Sequence, residues 1–119
     1  MTKKQYQPAV AALHDAHSIC IVTHLRPDAD AIGSAAALLL ALRQRGKDVC
    51  AVVGQEREIS RNLYTIPAAD DVTTSRELPE GYDLYVTVDC GSLDRTGFFA
   101  DRIEQLAQQG RVLCIDHHS

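Results

Sequence analysis

Four runs rich in β-branched residues, Ile19–Thr23, Val49–Val53, Leu84–Val88 and Val112–Ile115, are apolar almost without interruption. Strict alternation marks strands with one wet face, whereas continuous runs mark strands covered on both faces. Helical periodicity fills the gaps between them. From Pro8 to His17, Val10 and Leu13 share one side with His14 or His17, and Pro8 suits a first helical turn. Asp30 to Arg45 is apolar nearly all round and stops at Gly46, which predicts a buried crossover helix with a glycine C-cap. Phe99, Ile103, Leu106 and Ala107 form a stripe on a helix that stops at Gly110. Between Gln55 and Pro79 the signals weaken to a short helix over Arg57–Tyr64 and a short strand near Val72. Alternating strands and helices with short connections predict an α/β domain of three layers, its sheet mainly parallel and helices on both faces.

A length of 119 residues suits one domain, and 45% hydrophobic with 24% charged residues excludes a disordered or low-complexity chain. The formal charge of −4 argues against tight, purely electrostatic binding to long nucleic acid, but leaves room for a metal-mediated phosphate site. The longest apolar run, Ala35 to Leu42, is eight residues, far short of the roughly 20 that span a bilayer. The first residues carry positive charge with no apolar stretch behind them, so no secretory leader is expected. Cys20, Cys50 and Cys114 sit inside strand-like runs and Cys90 follows another, with no CxxC pair. Buried free cysteines of this kind predict a reducing, cytoplasmic compartment.

Ligands of a parallel, doubly wound sheet bind beyond the carboxyl ends of its strands. The first strand runs into T-H-L-R-P-D-A-D-A-I-G-S, the third into V-D-C-G and the last into D-H-H. His24, Asp28, Asp30, Asp89, Asp116, His117 and His118 are thereby delivered to one rim, while the strand ending at Val53 brings only a Gln and a Glu further on. Read singly, Asp30 is a helix N-cap, Pro27-Asp28 a turn, Asp94-Arg95 surface turn residues, and Cys90 points away from Asp89. His14 and His17 belong to the first helix and its end. Jointly, four carboxylates and three imidazoles at one edge call for a cation. Oxygen and nitrogen donors without thiolate favour Mn²⁺, Mg²⁺, Fe or Co over structural zinc, and the histidines tilt the choice toward Mn²⁺. Asp28 and Asp30, two apart on a non-helical loop, can reach different ions and Asp89 can bridge both, as in the two-metal sites that displace at phosphorus.

H-L-R-P-D-A-D-A-I-G-S, V-D-C-G-S-L-D-R-T-G and I-D-H-H together resemble the DHH phosphoesterase family (a RecJ-like superfamily) over essentially the whole chain. With R-N-L-Y-T-I-P, they look closest to its nano-RNase and adenosine 3′,5′-bisphosphate phosphatase branch. The resemblance implies a Rossmann-like domain and two metals, Mn²⁺ with Mg²⁺ or Co²⁺ as alternatives. It implies that His24, Asp28 and Asp89 hold one ion and that Asp30, Asp89 and His117 hold the other. His118 would face the substrate phosphate, Asp116 would orient the histidine pair, and Arg95 would neutralise phosphate or brace its loop. It also implies that residues 1–119 are an N-terminal DHH domain cut before a fourth motif and a C-terminal DHH-associated domain.

The expected activity is metal-dependent hydrolysis of short oligoribonucleotides or adenosine 3′,5′-bisphosphate, with no membrane partner and with room for a homodimer in the full-length protein. The isolated chain is expected to be weakly active or inactive. The alternative is a fragment or degenerate domain that binds metal or nucleotide without turnover. A dinucleotide-binding domain is disfavoured, since no G-x-G-x-x-G follows the first strand.

Overall fold

The computed structural model describes residues 10–115. Pro8 and the rim residues Asp116, His117 and His118 therefore lie outside the described residues. The elements run α1 (residues 10–15), β1 (Ser18–Thr23), α2 (Ala29–Gln44), β2 (Asp48–Val53), β3 (Val72–Thr74), β4 (Leu84–Val88), α3 (Ala100–Gln108) and β5 (Val112–Ile115). Short 3₁₀ turns occupy Arg61–Thr65, Ala69–Asp71 and Leu93–Phe99.

The five strands form one sheet in the order β3-β2-β1-β4-β5, and every neighbouring pair is parallel. Chain order grows outward from β1 on one side and from β4 on the other. Crossovers of one hand then place α2 and α3 on opposite faces. The packing agrees. Ile19 and Ile21 of β1, Val49 and Val53 of β2 and Val86 of β4 bury against Ile32, Ala35, Leu39 and Leu42 of α2. Cys20, Val22, Val52 and Tyr85, the alternate positions, bury against Phe99, Ile103 and Leu106 beside and along α3. Two covered faces explain why the strands are apolar throughout. Each fully buried Ile, Leu or Val contributes about 1.5–3 kcal/mol relative to exposure. The result is a Rossmann-like, three-layer α/β domain.

Some boundaries differ from expectation. α2 starts at Ala29, and its N-cap is Asp28, whose Oδ1 accepts from the Ala31 amide at 2.9 Å. Asp30 is thus a first-turn residue, neither the cap nor part of a non-helical loop. The apolar onset of the helix hid this, because either aspartate can precede it. The other end closes as expected: Gly46, at φ 80°, donates to Arg43 O, and Lys47 donates to Leu42 O. The helix expected over Arg57–Tyr64 is only the 3₁₀ turn Arg61–Thr65, whereas the short strand near Val72 is present as β3. In the α3 stripe Ala107 is exposed, since three residues already fill the contact with the sheet. Cys114 is also exposed, on the edge strand β5, and only Cys20 of the four cysteines is fully buried. Among the described residues no helix is long and apolar enough to cross a membrane.

Candidate metal centre

Register sets the rim. Thr23 at the end of β1 pairs with Val53 of β2 on one side and Val88 of β4 on the other. The next residues, His24, Gly54 and Asp89, emerge at one level. The Thr23 hydroxyl donates to Val88 O at 2.9 Å and clamps the ends of β1 and β4 together. This pair is also where the strand order reverses, the crevice at which doubly wound sheets take their ligands.

Three side chains converge there. His24 is buried, and its Nε2 stands 3.9 Å from Asp28 Oδ1 and 3.7 Å from Asp89 Oδ2. One donor atom from each of the three lies within 4.8 Å of the other two. Contacts of 3.7–3.9 Å are too long for hydrogen bonds. Donors each about 2.1 Å from a shared ion lie up to about 4.2 Å apart, so a few tenths of an ångström of closure would fit these atoms around one cation. The residues present therefore fit a divalent metal. Asp89 is tucked in, its side chain 8% exposed, whereas that of Asp28 is 66% exposed.

The backbone is bent to make this arrangement. Asp89 adopts φ 56° and Arg26 φ 49°, the left-handed region that costs an ordinary residue about 1–2 kcal/mol. Each strained residue has a tie. The Asp89 amide donates to Ile115 O at 3.1 Å, the Leu25 amide to Arg95 O at 2.8 Å, and the Arg26 amide to Gln55 Oε1 at 2.8 Å. His24 Nδ1 lies 2.7 Å from Leu25 O. Donation there puts the proton on Nδ1 and turns the Nε2 lone pair toward the two carboxylates, as a metal ligand requires. Arg95 Nη2 is 3.2 Å from the same Nδ1. A guanidinium only donates, so it cannot share a protonated Nδ1, and the shorter carbonyl contact decides the tautomer. Arg95 then acts as a positive charge beside the imidazole, and its own carbonyl braces the loop.

Of the residues expected at the rim, His24, Asp28 and Asp89 are brought together and Arg95 stands against them. Asp30 is exposed on the first turn of α2 and is not one of the three. The Cys90 thiol turns back toward Val88 O at 3.5 Å. His14 and His17 are exposed at the opposite edge. The Asp94 carboxyl is held below its usual pKa by the Ser92 hydroxyl, 2.5 Å away.

Two supports went unrecognised in the sequence. Gln55 was seen only as a polar residue beyond β2, yet it takes the Arg26 amide. Gly54 and Gly97 pass so close that a Cβ on Gly54 would strike Thr96 O and one on Gly97 would strike Gly54 O and Leu25. Gly97 is also at φ 65°, breaking the 3₁₀ turn that contains it. Glycines directly after a strand and inside D-R-T-G were the available signal.

Sheet order and crevice chemistry define an α/β domain of the doubly wound class with a candidate metal site at its switch point. Residues 18–119 match the DHH family, N-terminal domain, and the chain belongs to that family. Among solved structures, that of an exopolyphosphatase-related protein from Bacteroides fragilis is similar, with a TM-score of 0.78 and 27% identity. The match covers 99% of this chain and 37% of that one, so this chain spans little more than a third of the other's length.

Proposed function

We propose that the whole protein is a divalent-metal-dependent phosphoesterase that hydrolyses short oligoribonucleotides or adenosine 3′,5′-bisphosphate, with Mn²⁺ as its metal and the cytoplasm as its compartment. The observation that carries this is His24 Nε2 aimed between Asp28 and Asp89 at the switch-point crevice. His24, Asp28 and Asp89 would hold one ion. Asp30 and His117, sharing Asp89, would hold the second. Bound divalent ions supply a water of lowered pKa and neutralise charge on the phosphoryl group.

The chain's own residues do the rest. Leu25 O fixes the His24 tautomer, and the tie between Thr23 and Val88 keeps the two walls of the crevice at a constant spacing. Arg95 offsets part of the negative charge that Asp28 and Asp89 concentrate, and Asp116 and His118 would steady the phosphate and its histidine neighbour. In hydrolysis the water oxygen joins phosphorus, the ester P–O bond breaks, and the leaving oxygen takes up a proton. A domain beyond this one would close over the crevice and grip the substrate.

The exopolyphosphatase-related neighbour favours a second reading, with inorganic polyphosphate as substrate. Assaying the full-length protein against pApA, adenosine 3′,5′-bisphosphate, pyrophosphate and polyphosphate separates the two. Nucleotide esters should give the highest kcat/KM, require Mn²⁺ and fail under EDTA. Polyphosphate as the best substrate would overturn the nucleotide assignment. Mn²⁺ binding without turnover of any ester would leave a binding module.

A further inference from the structure

Cys20 and Cys50 are in-register partners on the neighbouring parallel strands β1 and β2. Adjacent strands lie about 4.8 Å apart, inside the roughly 4.4–6.8 Å between Cα atoms that a disulfide spans. Both side chains pack into the apolar cluster on the α3 side of the sheet. All four cysteines of the chain are free thiols. These two differ in their surroundings. Cys20 is fully buried, whereas Cys50 is half-buried. β3 begins its pairing with β2 only at Ala51, which leaves the outer flank of Cys50 without a strand beside it. A hydrogen bond from the Cys20 thiol lowers the Cys50 thiol to about 7 against the effect of burial, and the Tyr82 hydroxyl adds a second donor. Of the charges nearby, Asp48 opposes this and Arg43 supports it. The same bond to Cys50, with burial, pushes the Cys20 thiol up and keeps its proton in place.

We propose that Cys20 and Cys50 form a redox-active dithiol that takes small-molecule disulfides as its substrate and closes to a reversible disulfide between β1 and β2. A half-open nucleophile with a buried partner in reach is the division of labour that thiol–disulfide exchange needs. The Cys50 thiolate attacks one sulfur of a disulfide RSSR. A bond from Cys50 Sγ to that sulfur forms, the RS–SR bond breaks, and the departing thiolate takes up a proton. Cys20 Sγ then attacks Cys50 Sγ, expels the second RS⁻ and gives it the Cys20 proton. Two protein thiols are oxidised and RSSR is reduced to two RSH. Cβ atoms of in-register parallel neighbours keep nearly the strand spacing, slightly beyond the roughly 3.5–4.5 Å of a relaxed bridge. The link therefore closes under strain, and strained disulfides are the labile ones. Cys20 lies three residues before Thr23 at the rim, about 10 Å along β1, so the dithiol is a site separate from the metal crevice.

The full-length protein, kept in EDTA and treated with glutathione disulfide, tests the inference by peptide mapping of its thiols. The wild type should lose two hydrogens, join the peptides that carry Cys20 and Cys50, and recover both thiols in dithiothreitol. Cys20→Ala should stop at one glutathione on Cys50, and Cys50→Ala should leave Cys20 unmodified while the protein is folded. Alkylation of wild-type Cys50 by iodoacetamide should rise with a midpoint near pH 7 rather than the about 8.5 of an ordinary thiol. Tyr82→Phe should slow it about fivefold at pH 7, the fall in thiolate when that midpoint moves to about 8. The proposal fails if the wild type stops at a mixed disulfide on Cys50, or if the Cys20–Cys50 link forms only in urea. It fails equally if Cys50 alkylates with the midpoint of an ordinary thiol, a result that needs no variant to fold.

Discussion

β4 carries an aspartate just beyond each end, and the two are used in opposite ways. Asp83, at the amino edge, accepts from the His17 and Ser18 amides at 2.9 and 3.3 Å, and its own amide donates to Ser18 Oγ at 2.9 Å. Nearby, Lys47 Nζ donates to His14 O and Ala16 O at 2.8 and 2.6 Å. Polar groups at that edge meet at hydrogen-bond distance and stitch loops. At the carboxyl edge Asp89 and Asp28 face His24 across 3.7 and 3.9 Å, a spacing that fits a small cation better than it fits a proton. The same residue type therefore stitches loops where its donors are backbone amides, and becomes a candidate metal ligand where the neighbours are other ligand-type side chains. Backbone conformation separates them further, since Asp89 but not Asp83 is held in the left-handed region.

The strongest way to break this contrast is to remove the charge at the crevice. Asp89→Asn keeps a side chain of the same shape and one that tolerates positive φ. It should weaken Mn²⁺ binding, measured calorimetrically, by more than the about 10–100-fold typical of groups one step removed from an ion. An unchanged affinity would show that Asp89 is no ligand. Asp28 sharpens the comparison because the proposed site gives it both jobs at once: it caps α2 through the same Oδ1 that faces His24. Asp28→Asn should retain the cap and lose Mn²⁺ affinity. Asp28→Ala should lose both, with a stability cost of about 1 kcal/mol. Equal stability of the two variants would remove the structural half of the assignment.

How much of this was legible follows from which forces are local. Strand periodicity gave Leu84–Val88 and Val112–Ile115 to the residue, because burial on both faces leaves an unbroken apolar signature. The ligand-type residues were legible for a related reason: parallel strands must all end at one rim, so His24, Asp28 and Asp89 had to be neighbours. The sequence pattern put the cap on Asp30 and a turn at Asp28, whereas Asp28 is the cap, because capping depends on a ψ angle that neither residue dictates. The Arg57–Tyr64 helix failed since that segment buries little beyond Ile59 and is held by the contacts of its neighbours. Gln55 and the Gly54–Gly97 approach were illegible because they join loops distant in sequence, and only the assembled sheet brings those loops together.

The smallest expected effect belongs to the amino edge. The His17 and Ser18 amides stabilise the charged form of Asp83 and hold its pKa below the usual aspartate range. A carboxyl whose folded pKa is depressed contributes stability that is fully present above its unfolded pKa and is lost as pH falls through the folded one. Asp83→Ala should therefore lower the thermal midpoint at neutral pH by no more than a few degrees, the residue being exposed. The gap to the wild type should stay constant down to about pH 4 and narrow below it. Mn²⁺ affinity should be unmoved, because the residue lies at the far end of β4 from the crevice. A gap that instead widened with acid would mean that the amides at this edge are satisfied by something other than the Asp83 carboxylate.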